Sequence, residues 1–178
     1  MLLCVSLPLI WQSICIFHGM KKIAGLLLFA VMEYVSFAQE IPVVKLEELK
    51  KVYSRPNDTT YVVNFFATWC GPCVMEIPVL NKFSEDTKNS NIQLIMVSLD
   101  NSRSLKKLPA WIKKMKIQAP VYVLNESADY SWLPYIDKRW QGSIPATMVI
   151  NVKRNKKAFF ETPLEDGQLQ FYLKKLGL

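Results

Sequence analysis

The chain has 178 residues, of which 51% are hydrophobic, and carries a formal net charge of +7 at pH 7. This length and apolar content suffice for the core of one domain, which excludes a small fold held together only by disulfides. The lysine-rich runs have no interleaved pattern of base-stacking residues, so we expect a solvated basic surface and no nucleic-acid partner.

Residues 1–38 have the pattern of an N-terminal leader. Two lysines precede an apolar run over 23–32, and small residues lead up to Ala38 as at a signal-peptidase site. The run is shorter than the ~20 residues that span a bilayer. We predict a cleaved signal peptide over 20–38, with translation starting at Met20. The alternative is an uncleaved anchor, which would be the only membrane contact, and either leader exports the remaining chain.

Residues 39–178 alternate strand and helix patterns and are predicted to form a single domain. Extended segments are predicted at 41–44, 61–67, 92–99, 120–124, 146–151 and 158–161, and helices at 46–53, 73–88, 104–115, partly within 129–140, and at 164–176. Pro78 is expected to kink the second helix. This order predicts an α/β fold with a central mixed β-sheet flanked by helices on both faces.

Cys70 and Cys73 are the two cysteines outside the predicted leader, which contains Cys4, Cys15 and the one histidine, His18. Zinc sites draw their ligands mainly from cysteine and histidine, so we expect no metal and no other cofactor. An inert structural disulfide is also disfavoured, because a two-residue spacing closes almost no loop. The pair is therefore predicted to be a redox-active disulfide.

The cysteine pair lies between a predicted strand and a predicted helix. Cys70 then occupies the helix N-terminus, where free N–H groups and the helix dipole favour a thiolate. We predict that Cys70 attacks a substrate disulfide and that Cys73 resolves the mixed disulfide. Gly71 is expected to permit the tight turn, and Pro72 to set a helical φ angle.

Three motifs together resemble the thioredoxin superfamily: Thr68-Trp69-Cys70-Gly71-Pro72-Cys73 after a buried strand, Pro78, and Ser143-Ile144-Pro145-Ala146-Thr147 before a later strand. The exported TlpA/ResA-like thiol-disulfide oxidoreductases are the most similar branch. The resemblance implies a thioredoxin fold with one helix-strand insertion, at 101–125.

The resemblance also implies a substrate-binding surface. Pro145 should be cis and lie beside the cysteines, so that the backbone of Ile144 pairs with an extended substrate, and Trp69 should be a surface residue next to the nucleophile. Gly71 and Pro72 belong to the same surface. A further set of aromatic residues either edges this groove or packs in the core: Trp132, Tyr135 and Trp140.

Asn64 and Glu76 separate the chain from cytosolic thioredoxins. By the resemblance, Asn64 occupies the position of a buried aspartate, and Glu76 matches an acidic residue of the ResA-like pattern. Glu76 is a candidate catalytic residue that accepts the Cys73 proton, with a pKa raised by partial burial. The alternative is an exposed glutamate that only complements the helix dipole.

The resemblance implies an exported reductase of the periplasm or cell envelope. Its partners would be protein thiols and disulfides and a membrane electron donor. The Gly71-Pro72 pair between its cysteines is similar to that of thioredoxins, whose reduction potentials are about −270 mV. Two alternatives remain. One is a non-catalytic peptide-binding or chaperone module that uses the Pro145 groove, and the other is an envelope protein with an inert disulfide.

Overall fold

The structure is a computed structural model that describes residues 40–178. The predicted leader, with its cleavage site after Ala38, lies outside the described residues. Ile41–Leu178 form one compact unit. Within the part of the chain that the structure describes, no helix has the length and apolar character needed to cross a membrane.

Six strands form one mixed sheet in the order β1-β4-β3-β2-β5-β6. The strands are β1 (Val43–Val44), β2 (Thr60–Phe66), β3 (Ile92–Ser98), β4 (Val121–Leu124), β5 (Ala146–Asn151) and β6 (Lys156–Phe160). The pairs among β1 to β4 are parallel, whereas β5 runs antiparallel to both β2 and β6. Every residue of β2 is buried, as expected for a β-branched and aromatic run at the centre of a covered sheet.

Helices cover both faces of the sheet. They are α1 (Leu46–Tyr53), α2 (Gly71–Asp86), α3 (Ser102–Leu105), α4 (Leu108–Lys114), α5 (Leu133–Ile136) and α6 (Gln168–Leu176). Side chains of α1 and α5 belong to the core cluster on one face, and those of α2 and α6 to the cluster on the other. The predicted α/β fold with a mixed sheet flanked on both faces is confirmed.

The predicted insertion at 101–125 contains α3, α4 and β4, and β4 lies in the sheet between β1 and β3. The prediction of a single helix at 104–115 is wrong, because the chain forms two short helices separated by Lys106 and Lys107. Pro109 explains the break. It has no N–H to donate to Leu105, and its ring clashes with the preceding turn, so it is tolerated only in the first turn of a new helix.

Three other helix boundaries differ from the prediction, one of which is the end of α2 at Asp86 rather than at residue 88. α2 begins two residues earlier, because Cys70 rather than a later residue is the N-cap. α6 begins four residues later, since Gly167 adopts a left-handed conformation with φ of 77° that interrupts the helical path from residue 164. Pro78 lies inside α2, where its missing N–H removes one bond of the helical ladder.

The three aromatic residues before Pro145 have different locations. Trp132 and Trp140 are buried in the core cluster, with ring centroids 5.5 Å apart, and Trp140 also packs against Phe65. The indole N–H of Trp140 donates to the Ser143 carbonyl at 3.0 Å. Tyr135 is exposed. Both tryptophans therefore pack in the core, but Trp132 also lines a cavity beside Trp69 and Ile144, and Trp140 anchors the segment that leads to Pro145.

Candidate redox site

The cysteines lie at the end of the central strand, where the chain turns into α2. β2 ends at Phe66 and α2 begins at Gly71, so Cys70 is the N-cap of the helix. Cys70 and Cys73 form a disulfide with their Cα atoms 5.3 Å apart. The Cys73 N–H donates to the Cys70 sulfur at 3.2 Å. This geometry places Cys70 where the sequence predicts it, at the positive end of a helix.

The two cysteines differ in exposure. Cys70 keeps 6% of its surface accessible, whereas Cys73 keeps 1%. When the disulfide is reduced, the Cys70 sulfur also faces the free N–H groups and the dipole of a 16-residue helix, both of which stabilise a thiolate. The arrangement therefore favours Cys70 as the attacking sulfur and Cys73 as the sheltered one.

The sheet brings the Ile144-Pro145 segment to the cysteines. β5 is antiparallel to β2, with Ala146 opposite Phe65, so the residues that precede β5 lie beside those that follow β2. The Ile144-Pro145 peptide bond is cis, as predicted. The Ile144 carbonyl oxygen lies 3.6 Å from the Cys70 sulfur. Because a disulfide sulfur carries no hydrogen, this approach is a packing contact rather than a hydrogen bond.

The predicted rim of the site is solvent-accessible. Trp69 is 67% exposed, and Gly71 and Pro72 are exposed in the first turn of α2. Gly71 has no left-handed φ angle, and a Cβ atom there would meet open space. The prediction that glycine permits this turn is therefore wrong, because the backbone adopts it without a conformation reserved for glycine. Pro72 fits the first helical turn, as expected.

Glu76 belongs to the same helix as Cys73, three residues further along, and is only 2% exposed. Its carboxylate accepts hydrogen bonds from the Asn64 side-chain amide at 2.7 Å and from the Leu164 backbone N–H at 2.9 Å. It thus joins three elements: α2, the central strand and the segment before α6. The alternative of an exposed glutamate that complements the helix dipole is wrong.

The surroundings of Glu76 perturb its titration. Burial raises the pKa of this carboxyl, and the hydrogen bonds from Leu164 and Asn64 lower it by less. The Asn64 amide also donates to the Thr147 hydroxyl at 3.0 Å, while the Asn64 Oδ1 atom finds no hydrogen-bond partner within residues 40–178. Asn64 therefore holds the Glu76 carboxylate and cannot exchange a proton itself.

A second buried carboxylate, which sequence reasoning missed, supports the loop before the cysteines. Asp100 accepts hydrogen bonds from the backbone N–H of Thr68 at 3.0 Å, from the Thr68 hydroxyl at 2.6 Å and from the Ser98 hydroxyl at 2.8 Å. The sequence could have indicated this role. Asp100 follows β3 and Thr68 follows β2, and the carboxyl ends of these neighbouring parallel strands meet at one edge of the sheet. Thr147 was also not predicted as a site residue, because its position in β5 fits an ordinary strand residue.

The candidate site is built from two sulfurs and a backbone segment. Across residues 40–178, no cluster of three or more His, Cys, Asp or Glu side chains is arranged to hold a metal ion. The site provides Cys70 at a helix N-terminus, the less exposed Cys73 bonded to it, and the Ile144 backbone 3.6 Å from the Cys70 sulfur. These parts suit an exchange of thiols and disulfides.

Residues 38–156 match the sequence pattern of the AhpC/TSA family. Among curated relatives, the chloroplastic thioredoxin Y2 of Arabidopsis thaliana is 32% identical over 95 residues, which cover 53% of this chain and 49% of that relative. The chain thus spans about half the length of this relative.

Two solved structures have the same fold. A thiol:disulfide interchange protein of the thioredoxin family from Chlorobium tepidum TLS gives a TM-score of 0.57 at 24% identity and covers 71% of this chain and 83% of that one. StoA from Bacillus subtilis gives a TM-score of 0.53 at 22% identity, and the match covers 65% of this chain and 83% of StoA. These matches confirm the thioredoxin fold. The match to the family pattern extends over more than half of this chain, so the chain belongs to the AhpC/TSA family of the thioredoxin superfamily.

Proposed function

We propose that the protein is an exported thiol-disulfide oxidoreductase that reduces disulfides of proteins in the periplasm or cell envelope. The observation that carries the proposal is the Cys70-Cys73 disulfide at the N-terminus of α2, with the Ile144 carbonyl 3.6 Å from the Cys70 sulfur. Trp69, Gly71 and Pro72, which adjoin Cys70 in the chain, are exposed to solvent.

The reaction is a two-electron exchange. In the reduced protein, the Cys70 thiolate attacks one sulfur of the substrate disulfide, which forms a mixed disulfide and expels the other substrate sulfur as a thiolate. The Cys73 thiolate then attacks the Cys70 sulfur, closes the internal disulfide and releases the second substrate thiolate. The substrate gains two electrons and the protein loses two.

Substrate recognition uses the backbone of the cis-proline segment. An extended chain that pairs with Ile144 would bring its disulfide against Cys70, because the Ile144 carbonyl already touches that sulfur. Trp69, Gly71 and Pro72 are exposed at the rim and would contact the same chain. Main-chain pairing accepts many sequences, so this part of the site suits a range of protein substrates.

Glu76 is proposed to accept the Cys73 proton during resolution. Its carboxyl lies on the same helix as Cys73, is buried, and has a pKa raised by that burial. A carboxylate with a raised pKa is a stronger base than an exposed one, so it suits a proton acceptor for a thiol. Asn64 and the Leu164 N–H keep it in place.

Repeated turnover needs a source of electrons. The oxidised protein would be reduced by a membrane-bound dithiol donor, which attacks the Cys70-Cys73 disulfide in the reverse of the exchange above. The leader predicted at 20–38 would deliver the protein to that compartment, and would also hold it at the membrane if it is not cleaved.

Insulin reduction tests the proposal. The full chain with Cys4→Ser and Cys15→Ser leaves Cys70 and Cys73 as its thiols, and it should accelerate insulin reduction by dithiothreitol. Adding Cys70→Ser should return the rate to that of dithiothreitol alone. A Cys70→Ser protein as active as its parent would overturn the proposal and favour a peptide-binding module. A reduction potential measured against glutathione tests the direction, and a value typical of strong oxidants would reverse it.

A further inference from the structure

A cavity of about 410 Å³ adjoins the redox site. Trp69 and Ile144, which belong to the redox site, line it together with Leu105 and Val123 of the insertion. We call this cavity the insertion pocket. Its volume lies in the range of small-ligand sites, so it accommodates at least one large side chain.

The charge of the insertion pocket is opposite to that of the whole chain. The protein carries a net charge of +7, yet among the described residues 40–178 the charged ones that line the pocket are Asp100 and Glu126, without a lysine or arginine. Trp69, Tyr130 and Trp132 add aromatic walls. Carboxylates combined with aromatic faces favour a cation, which aromatic rings attract through their π electrons.

The two carboxylates have different capacities for a ligand. Asp100 already accepts three hydrogen bonds from Thr68 and Ser98, so it contributes negative charge from a fixed position. One oxygen of Glu126 accepts the Leu46 N–H at 2.7 Å, while the other lies 4.0 Å from the ammonium nitrogen of Lys45, a lysine whose side chain is exposed. Glu126 therefore retains lone pairs for a further donor.

We propose that the insertion pocket binds a lysine or arginine side chain that flanks the target disulfide of a protein substrate. The inference rests on the proposed function. Ile144 belongs to both the redox site and the insertion pocket, because its carbonyl contacts the Cys70 sulfur and Ile144 also lines the pocket. A substrate strand beside Ile144 projects alternate side chains to opposite faces, so one residue near the cysteine faces the pocket.

Disulfide-closed peptides test the proposal. Each peptide carries arginine, its uncharged isostere citrulline, or glutamate at one of the four positions that lie within two residues of a cysteine. The reduced full chain, with Cys4→Ser and Cys15→Ser, is mixed with each peptide, and the second-order rate constant of reduction is measured. At one position or more, arginine should react about fivefold faster than citrulline, and glutamate more slowly than citrulline.

Glu126→Gln is the informative variant, because the glutamine oxygen still accepts the Leu46 N–H. It should bring the arginine-to-citrulline ratio close to one. Glu85→Gln removes the same charge from an exposed position on α2 and should leave the ratio unchanged. If Glu126→Gln does not fold, raising the salt to about 0.5 M should lower the ratio of the parent protein instead.

The outcomes separate the two proposals. Equal rates for all three peptides at every position, with reduction still occurring, would overturn the insertion pocket proposal and leave the reductase intact. A ratio that persists in Glu126→Gln, or at high salt, would also overturn it. Failure to reduce any peptide and insulin would contradict the proposed function itself.

Discussion

Both faces of the central sheet are buried, but they differ in chemistry. On the face covered by α1 and α5, β2 contributes Tyr61, Val63 and Phe65 to an apolar cluster; we call this the apolar face. On the face covered by α2 and α6, which holds the cysteines, β2 places Asn64 against Glu76; we call this the redox face. Successive residues of one strand thus serve different environments.

This difference shows how the fold separates stability from chemistry. Burial of aromatic and aliphatic area stabilises the apolar face without directional requirements. The redox face buries an amide and a carboxyl, which destabilise a core unless hydrogen bonds satisfy them. Asn64 donates to Glu76 and to the Thr147 hydroxyl, and the Leu164 N–H donates to Glu76. Among the described residues, only the Asn64 Oδ1 atom of this set is left without a partner. We therefore expect substitutions on the apolar face to change stability most, and those on the redox face to change pH dependence.

Phe65→Ala should have the largest effect. The side chain is fully buried and packs against Trp140 with ring centroids 4.6 Å apart, so its loss leaves a cavity and should destabilise the protein by about 3–5 kcal/mol. Urea unfolding of the oxidised protein measures this loss. Phe171→Ala is the matched control, because Phe171 is exposed and its truncation should change stability by less than about 0.5 kcal/mol. Similar losses for the two variants would contradict the prediction.

Glu76→Gln should change the pH dependence of stability. Burial raises the pKa of Glu76, so the folded protein retains this proton to higher pH than the unfolded chain, whose carboxyl titrates near 4.5. The stabilisation is complete below that value and is lost as pH rises through the folded-state pKa. Glutamine does not titrate, so the variant should gain stability relative to the parent as pH rises.

Urea unfolding of both oxidised proteins between about pH 4 and pH 8 measures the Glu76→Gln effect. At the acidic end the two should agree within about 1 kcal/mol, because a protonated carboxyl and an amide are both neutral. Glu85→Gln controls for the loss of one negative charge from the same helix. A stability difference that moves against the variant as pH rises would refute the sign.

Thr147→Val should have the smallest effect. Valine preserves the shape but removes the hydroxyl that accepts from Asn64, whose amide keeps its bond to Glu76. We expect a loss of about 1 kcal/mol in the free energy of unfolding. A double-mutant cycle with Glu76→Gln measures whether the two sites couple through Asn64. Strict additivity would show that the polar groups of the redox face act independently.

Much of the fold could be predicted because local patterns agreed with their tertiary setting. The apolar spacing of Leu46–Tyr53 and the continuous run of β2 correspond to the observed helix and strand. The prediction for 104–115 was wrong because apolar periodicity passes through Pro109 without showing its missing N–H. Periodicity reports which residues face the core, whereas backbone hydrogen bonds decide where a helix breaks.

The sequence by itself determined the cysteine pair, its place between a strand and a helix, and the resemblance that implied a cis Pro145. These features are local, or belong to motifs with a constant spacing. Tertiary structure alone decided that Glu76 is buried, that Asp100 supports the loop before Cys70, and that an acidic pocket adjoins the site. Each depends on segments distant in the chain, whose approach is set by sheet order and packing rather than by neighbouring residues.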